Sequence, residues 1–369
     1  MWTAHLFQMT SGKLGPRLNF ESMDWSTELN GVDSINMKLR KSDLPNVDHS
    51  YWLSPWWAGV AVFWDNVPIS AGPIITRPSE SFDTLTIGCG GIRSVLANRL
   101  VAPEPQGYWD LFAKEKIYYS GLSLATIAKY AVEASQRKKG GRLPISYAVP
   151  DMTGGHERTY QSFNVSNISC DDVLKKLSNV LGGPDIMFRP RLLQTNLLTF
   201  DMWTGTDAQP RIYQKYSPVW DTTPSKGMVS NMNVIVTGTY QTSRVYSTGA
   251  GQDEGTLIRV ATDDSLLQKG YPLLETVIND SASEDPGVVM DHAKSELDVN
   301  NGHLLEVQMT VRADGPIPLG SFWPGDLVEI VTKGWLSLPD GVNRMRLLSI
   351  TGDHTNNVKI SLQKEDKFA

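Results

Sequence analysis

The chain has 369 residues, which at roughly 100–200 residues per domain predicts two or three domains, each with room for a real core. Apolar residues make up 40% and charged residues 20%, a balance that excludes a disordered chain or a coiled coil. The formal charge of −6 argues against a general nucleic-acid binder, which needs a strong basic excess. Glycine (31) and proline (21) are frequent enough to predict many short elements joined by turns. The two cysteines, Cys89 and Cys170, are too few for a disulfide framework or a four-ligand zinc site, and fit a chain that folds in a reducing cytoplasm. The opening residues lack the charged-then-apolar layout of a signal peptide. The longest apolar stretch, Trp56–Trp64, is about half a membrane span, so neither secretion nor membrane insertion is expected. Without a secretory route, the sequons at Asn164, Asn167 and Asn279 carry no meaning.

The first 100 or so residues read as strands. Ile35, Met37 and Leu39 alternate with polar residues, the period-2 pattern of a half-buried strand, behind a turn at Asn30-Gly31. Ala58–Trp64 and Ile69–Thr76 form the arms of a hairpin turning at Asp65-Asn66. Phe82–Gly90 supplies another strand, and Gly91–Leu100 a short closing helix. Prolines at 103 and 105 mark a boundary. From 106 to 210 the pattern changes to α/β. Leu124, Ile127, Ala128, Ala131 and Val132 fall at helical spacing behind Ser123 as N-cap. A second helix, capped by Ser169 or Asp171, places Val173, Leu174, Leu177, Val180 and Leu181 on one face and stops at Gly182-Gly183. A strand pair follows in Ile186–Leu193 and Leu197–Trp203. Beyond 211 strands return, with the clearest alternation at Leu305, Val307, Met309 and Val311 and at Val358, Ile360 and Leu362. One helix interrupts them near 284–298, with Pro286 in its first turn and Val289, Ala293 and Leu297 as its buried stripe. No short-period repeat appears, and the two β segments share no clear sequence identity.

Catalytic constellations are scarce. Gly88-Cys89-Gly90-Gly91 sits where a dinucleotide loop would, but Arg93 stands at the third glycine position, so a tight strand-to-helix turn is the better reading. His292 and Glu296, four apart on a helix beside Asp291, could form a metal edge, but an exposed polar face opposite Val289, Ala293 and Leu297 is the favoured reading. His156-Glu157 reads as a surface loop and Cys89 as a small buried thiol. There is no P-loop, nucleophile elbow or H-E-x-x-H. Tyr51, Trp52, Trp56, Trp57 and Trp64 could stack on sugars, but core packing plus an aromatic anchor at a subunit contact is favoured. The expectation is a protein with no catalytic residue, no cofactor and no bound metal.

Several pieces, in this order, resemble the hub proteins at the tail tip of long-tailed bacteriophages, often called minor tail proteins. They are Trp25–Arg40 as an opening hairpin, Phe63–Thr76, Leu85–Leu100 as a strand running into a helix, and Val173–Pro190 with its G-G-P-D-hydrophobic-x-F-R-P ending. The last are the helix Pro286–Leu297 and the turn Trp323-Pro324-Gly325-Asp326-Leu327-Val328. The resemblance spans nearly the whole chain. It implies a mainly β fold with an α/β insertion: two tail-tube-like antiparallel β-barrel domains, at 1–105 and at 211–369 with a helical insertion near 284–298, and an α/β decoration domain at 106–210. It further implies a homotrimer forming a ring of six barrels at the distal end of the virion tail, after synthesis in the host cytoplasm. The ring would join the six-fold tail tube and distal tail protein to a three-fold central tip or fibre protein. Its channel would pass the tape-measure protein and then DNA, and an acidic chain suits such a lumen because a basic lining would grip phosphates. Trp52, Trp56, Trp57 and Trp64 are the subunit-interface candidates. The alternatives are a hexameric distal tail adaptor, a tail-tip cell-wall hydrolase and a carbohydrate-binding protein.

Overall fold

The computed structural model describes residues 1–105, 107, 112–212, 216–223, 226–279 and 283–364. Glu365, the last residue of the expected C-terminal strand, and residue 106, the expected start of the insertion, lie outside these. The first segment runs β1 (Trp2–Gln8), β2 (Leu14–Leu18), β3 (Ser22–Glu28), β4 (Ser34–Arg40), the one-turn helix α1 (His49–Trp52), β5 (Ala58–Trp64), β6 (Val67–Glu80), β7 (Thr84–Gly90) and α2 (Arg93–Ala97). The middle segment holds β8 (Lys116–Leu122), α3 (Leu124–Gln136), β9 (Ile145–Tyr147), β10 (Thr153–Gln161), α4 (Cys170–Ser178), β11 (Ile186–Gln194) and β12 (Leu197–Thr204). The third holds β13 (Val219–Asp221), β14 (Val229–Thr237), β15 (Arg244–Thr248), β16 (Ile258–Thr262), α5 (Ser265–Gln268), β17 (Glu275–Asn279), α6 (Pro286–Asn300), β18 (Leu304–Arg312), β19 (Leu327–Thr332), β20 (Gly341–Asp353) and β21 (Asn357–Lys364).

The local signals act as their chemistry requires. Asp65 and Asn66 both adopt positive φ (45° and 68°), which gives the β5–β6 hairpin a turn that follows the strand twist. Ser123 and Ser169 cap α3 and α4, each accepting a backbone N–H three residues on, and Asp285 caps α6 ahead of Pro286. Helix α4 ends sooner than expected, at Ser178, so Leu181 falls outside the helical face and is 52% exposed.

Thirteen strands join in one sheet, ordered β14-β18-β21-β20-β3-β4-β7-β6-β5-β1-β2, with β19 also on β20 and β13 on β19. No sheet closes on itself among the described residues. The two β segments, expected as two β-barrel domains, run into each other where β20 pairs antiparallel with β3, from Ser349↔Glu28 to Asp353↔Asp24. The pairing also reveals a repeat that the residues conceal. The order β3-β4-β7-β6-β5 in the first segment and β14-β18-β21-β20-β19 in the third have the same connectivity, all of it antiparallel.

Two large cores lie on opposite faces of the β1–β5–β6 ladder. Trp2, Val60, Val62, Trp64 and Trp25 join Met309, Leu347, Ile350 and Ile360 in one. Phe7, Ala61, Phe63 and Ala71 face α3, α4, β11 and β12 in the other. That is why β5 is buried at all seven positions and reads as a continuous apolar run. Strand β1 escapes alternation analysis for the same reason, since Leu6 and Phe7 are adjacent and both buried.

At the seam, Gly352 lies opposite Trp25, and a Cβ on Gly352 would stand 2.7 Å from the indole ring. Gly352→Ala is therefore expected to destabilise the fold by about 1–3 kcal/mol, the cost of overpacking a filled core. Urea unfolding of the variant against the parent measures it, and an unchanged midpoint would contradict this account of the seam.

Candidate functional site

Two motifs that stood far apart in sequence meet in space. Gly182 (φ 71°) turns the chain after α4 and leads it through Gly183-Pro184-Asp185 into β11. Asp185 is buried and forms an ion pair with Arg346 of β20. Its carboxylate also accepts the Ile212 N–H (2.9 Å) and the Asn30 side-chain amide (3.3 Å). Asn30 (φ 56°), in the β3–β4 turn, completes the joint by accepting the Ile186 N–H at 2.7 Å. One carboxylate thus ties the middle segment to both repeats of the β structure.

Four residues along, Arg189 of β11 reaches the Trp323-Pro324-Gly325-Asp326 turn. Its guanidinium donates to Asp326 at 3.3 Å and to the Pro324 carbonyl at 3.4 Å. It also lies 5.1 Å from the Trp203 ring and 5.7 Å from the Trp323 ring, both within cation–π range. Asp326 is fully buried and accepts the Trp323 N–H at 2.7 Å, which closes the turn. Burial pushes the Asp326 carboxyl up to about 6 against the attraction of Arg189, and burial likewise lowers Arg189. Desolvation outweighs the Coulomb gain, as is usual for a buried pair. A third joint pairs Arg93 of α2 with Asp171 of α4 at 2.6 Å, with Lys175 on the other carboxylate oxygen at 2.8 Å.

The aromatic candidates separate. Trp64 is 4% exposed and packs edge-on against Trp2 at 4.9 Å inside the core, which leaves it no surface for another subunit. Trp52 and Trp57 are half-buried and meet edge to face at 5.3 Å, with Trp52 lying over Gly15 of β2. Trp56 is 44% exposed and held at φ 65°, a left-handed conformation that is strained for a bulky side chain. Its N–H is tied to the Ile74 carbonyl at 2.8 Å.

The residues weighed as catalysts are not assembled into a site. Burial pushes the Cys89 and Cys170 thiols up to about 12. Gly88, Cys89 and Gly90, expected in a turn, are the paired end of β7, and Gly91 follows them, its N–H donating to the Asp33 carbonyl ahead of α2. Glu296 accepts from Asn300 on its own helix, and among the described residues no three His, Cys, Asp or Glu side chains are grouped to hold a metal ion. His156 stands 3.3 Å from Asp207, whose other oxygen accepts the Leu124 N–H at the start of α3. An open cleft of about 1180 Å³ runs between α4 and α6 over Arg346 and Asp185, lined by both basic (Lys175, Lys176) and acidic (Asp172, Asp298) side chains.

No family model and no curated protein sequence matches the chain. Solved structures do. A tail protein from Neisseria meningitidis MC58 superposes with a TM-score of 0.57 at 14% identity, covering 100% of this chain and 98% of that one. The 43 kDa tail protein of prophage MuSo2 from Shewanella oneidensis gives 0.60 at 12% identity, with both chains covered in full. Prophage tail protein gp18 from Listeria monocytogenes gives 0.50 at 10%, covering 98% and 94%. The fold is therefore that of a class of phage tail proteins. It extends from one end of this chain to the other, with the middle segment included.

The raised Asp326 carboxyl has a definite pH consequence. The folded state favours its protonated form, so between about pH 4 and about pH 6 the unfolded chain releases this proton first and folding stability falls as pH rises. Asp326→Asn removes that part of the slope in urea unfolding titrated across the window. Arg189→Ala, which removes the Arg189–Asp326 pair from around a buried carboxylate, is expected to cost about 3–5 kcal/mol at neutral pH in the same assay.

Proposed function

We propose that this chain is a structural tail component, the trimeric hub at the distal tip of a phage tail, rather than an enzyme. The observation that carries the reading is the pair of strand paths with identical connectivity in a chain whose whole length has the fold of phage tail proteins. Two tube-like units per chain, at 1–105 and 211–369, let three copies present six equivalent units to a six-fold tail tube. The same ring offers three-fold symmetry to a central tip or fibre protein below. The middle segment, 106–210, decorates the ring from outside. The partners in this reading are two further copies of the chain, the distal tail protein above, and the tape-measure protein and DNA in passage through the channel.

Buried charge pairs suit a part that must hold its shape under load, because they fix the orientation of the middle segment on both units. Trp56 is the aromatic anchor offered to a neighbouring subunit, with Tyr51 exposed beside it and Trp57 packed at 5.6 Å from Tyr51.

Antibody to this protein is expected to label only the distal tip of tails in electron micrographs of particles from the source. Quantitative mass spectrometry of the same particles is expected to count three copies each. Six copies would favour the hexameric distal adaptor, and unlabelled particles would end the tail reading. Trp56→Ala, which keeps a Cβ at the left-handed position, is expected to leave the melting temperature within a few degrees of the parent while lowering the chain's occupancy in tails. Unchanged occupancy would remove Trp56 from the interface.

A further inference from the structure

The internal repeat makes the contact between the two units of one chain a template for the contact between chains. Within the chain, β20 has two halves on one edge. Gly341–Arg346 pairs with β19, and Ser349–Asp353 runs past β19 to pair with β3, the first strand of the other unit. The counterpart of β20 in the first unit is β6, and the counterpart of β3 in the second is β14.

Strand β6 has the same two halves. Val67–Pro73 pairs with β5, whereas Thr76–Glu80 runs on with β7 as its one strand partner among the described residues; it is exposed at every residue, and its Glu80 is ion-paired with Lys41. Strand β14 pairs with β18 alone. It is also the one edge strand of more than three residues, among those described, that has neither a charge nor a proline; its irregularity, at Ser230–Asn233 with Asn231 at φ 51°, lies before the Ile235–Thr237 end. The strands β2, β8, β9, β10, β11, β13, β16 and β17, which likewise have one partner each, are three residues long or contain a charged residue or a proline. The nine residues Val229–Thr237 contain neither a charge nor a proline, the condition under which an edge recruits another strand.

Resting on the hub reading, we infer that Thr76–Glu80 of one copy pairs antiparallel with β14 of the next, repeating between chains the β20–β3 seam found within the chain. Each copy has one such overhang and one such edge, so the contact is head-to-tail and propagates around a ring. The register follows from the ladders. Matching Leu85 with Val358 makes Thr76 equivalent to Ser349, since they face Gly88 and Ser361. The same match makes Arg40 equivalent to Arg312, then Ser34 to Glu306, Ser26 to Ile235 and Glu28 to Thr237. Ser349 pairs with Glu28, so Thr76 lies opposite Thr237 of the neighbour; by the same step Ser79 lies opposite Ile235.

Cysteine pairing in assembled tails tests the register, and the native Cys89 and Cys170 are both buried. Tails built with the Thr76→Cys, Thr237→Cys double variant are expected to give disulfide-linked dimers and trimers, and nothing larger, on a non-reducing gel. A mixture of the two single variants is expected to stop at dimers. Should the double variant fail to enter tails, Ser79→Cys with Ile235→Cys reads the same register one step along. Tails that contain the chain while neither pair cross-links would overturn the contact and leave the hub reading standing. Cross-linking by Thr237→Cys alone would also overturn it, since β14 would then pair with its own copy. Absence of the unmodified chain from tails would be the separate failure of the hub reading.

Discussion

Two buried carboxylate–guanidinium pairs, Asp185–Arg346 and Arg189–Asp326, hold the three segments of this chain in one arrangement. Neither is a cheap interaction. Each removes two charges from water, and the raised Asp326 carboxyl shows that burial costs more there than Arg189 returns. What the pairs supply is geometry. Both originate at the beginning of β11, so the strand is fixed at two points four residues apart and cannot slide or swivel. Three of the four partners are further constrained: Asp185 by Asn30 and Ile212, Asp326 by Trp323, and the Arg189 guanidinium by two indole rings. Apolar replacements of equal volume would fill the same space but carry no directional link from β11 to β20 or to the Trp323–Asp326 turn.

The hydrophobic cores make the same assembly rigid from another direction. Because β1, β5 and β6 are covered on both faces, the middle segment, whose strands form sheets of their own, shares a core with the first unit instead of hanging from it by a linker. The second unit enters through the β3–β20 seam, where Trp25 packs into the space that Gly352 leaves open. Movement of any one segment would break a buried ladder, a filled core or a buried ion pair.

Much of this was written locally in the sequence. The alternation of Ile35, Met37 and Leu39, the Asp65-Asn66 turn, and the caps at Ser123, Ser169 and Asp285 each depend on neighbours a few residues away. Those elements could be read in advance. The clamp could not, because Arg189 and Asp326 are 137 positions apart and nothing in either motif names the other. The P-G-D and F-R-P motifs were noticeable as motifs, but their chemistry became apparent only as a pair. Strands β8, β10, β13, β15 and β17 were missed, being short or heavily polar. The repeat was hidden for a different reason: a strand position asks only for a residue suited to its face. Two units can then keep the same connectivity while sharing no recognisable residues. Among the aromatic candidates, composition could not separate Trp64 in the core from Trp56 at the surface, because both belong to one apolar run.

The two ends of the long sheet are treated unequally, and the inequality bears on assembly. At one end, β2 is short, contains Pro16, and lies beneath the Trp52 ring; the Leu14 N–H is taken by the Asn196 carbonyl. The strained Trp56 belongs to the same loop, and a left-handed tryptophan costs about 1–3 kcal/mol that its surroundings must hold in place. Considerable structure is thus committed to closing that end within the chain. At the other end β14 is long, uncharged and free of proline, with β18 as its one strand partner among the described residues. A monomer adapted to remain a monomer would blunt both edges, because an open edge is an aggregation hazard. One edge closed and one left ready is the pattern of a chain whose folding is completed by a neighbour.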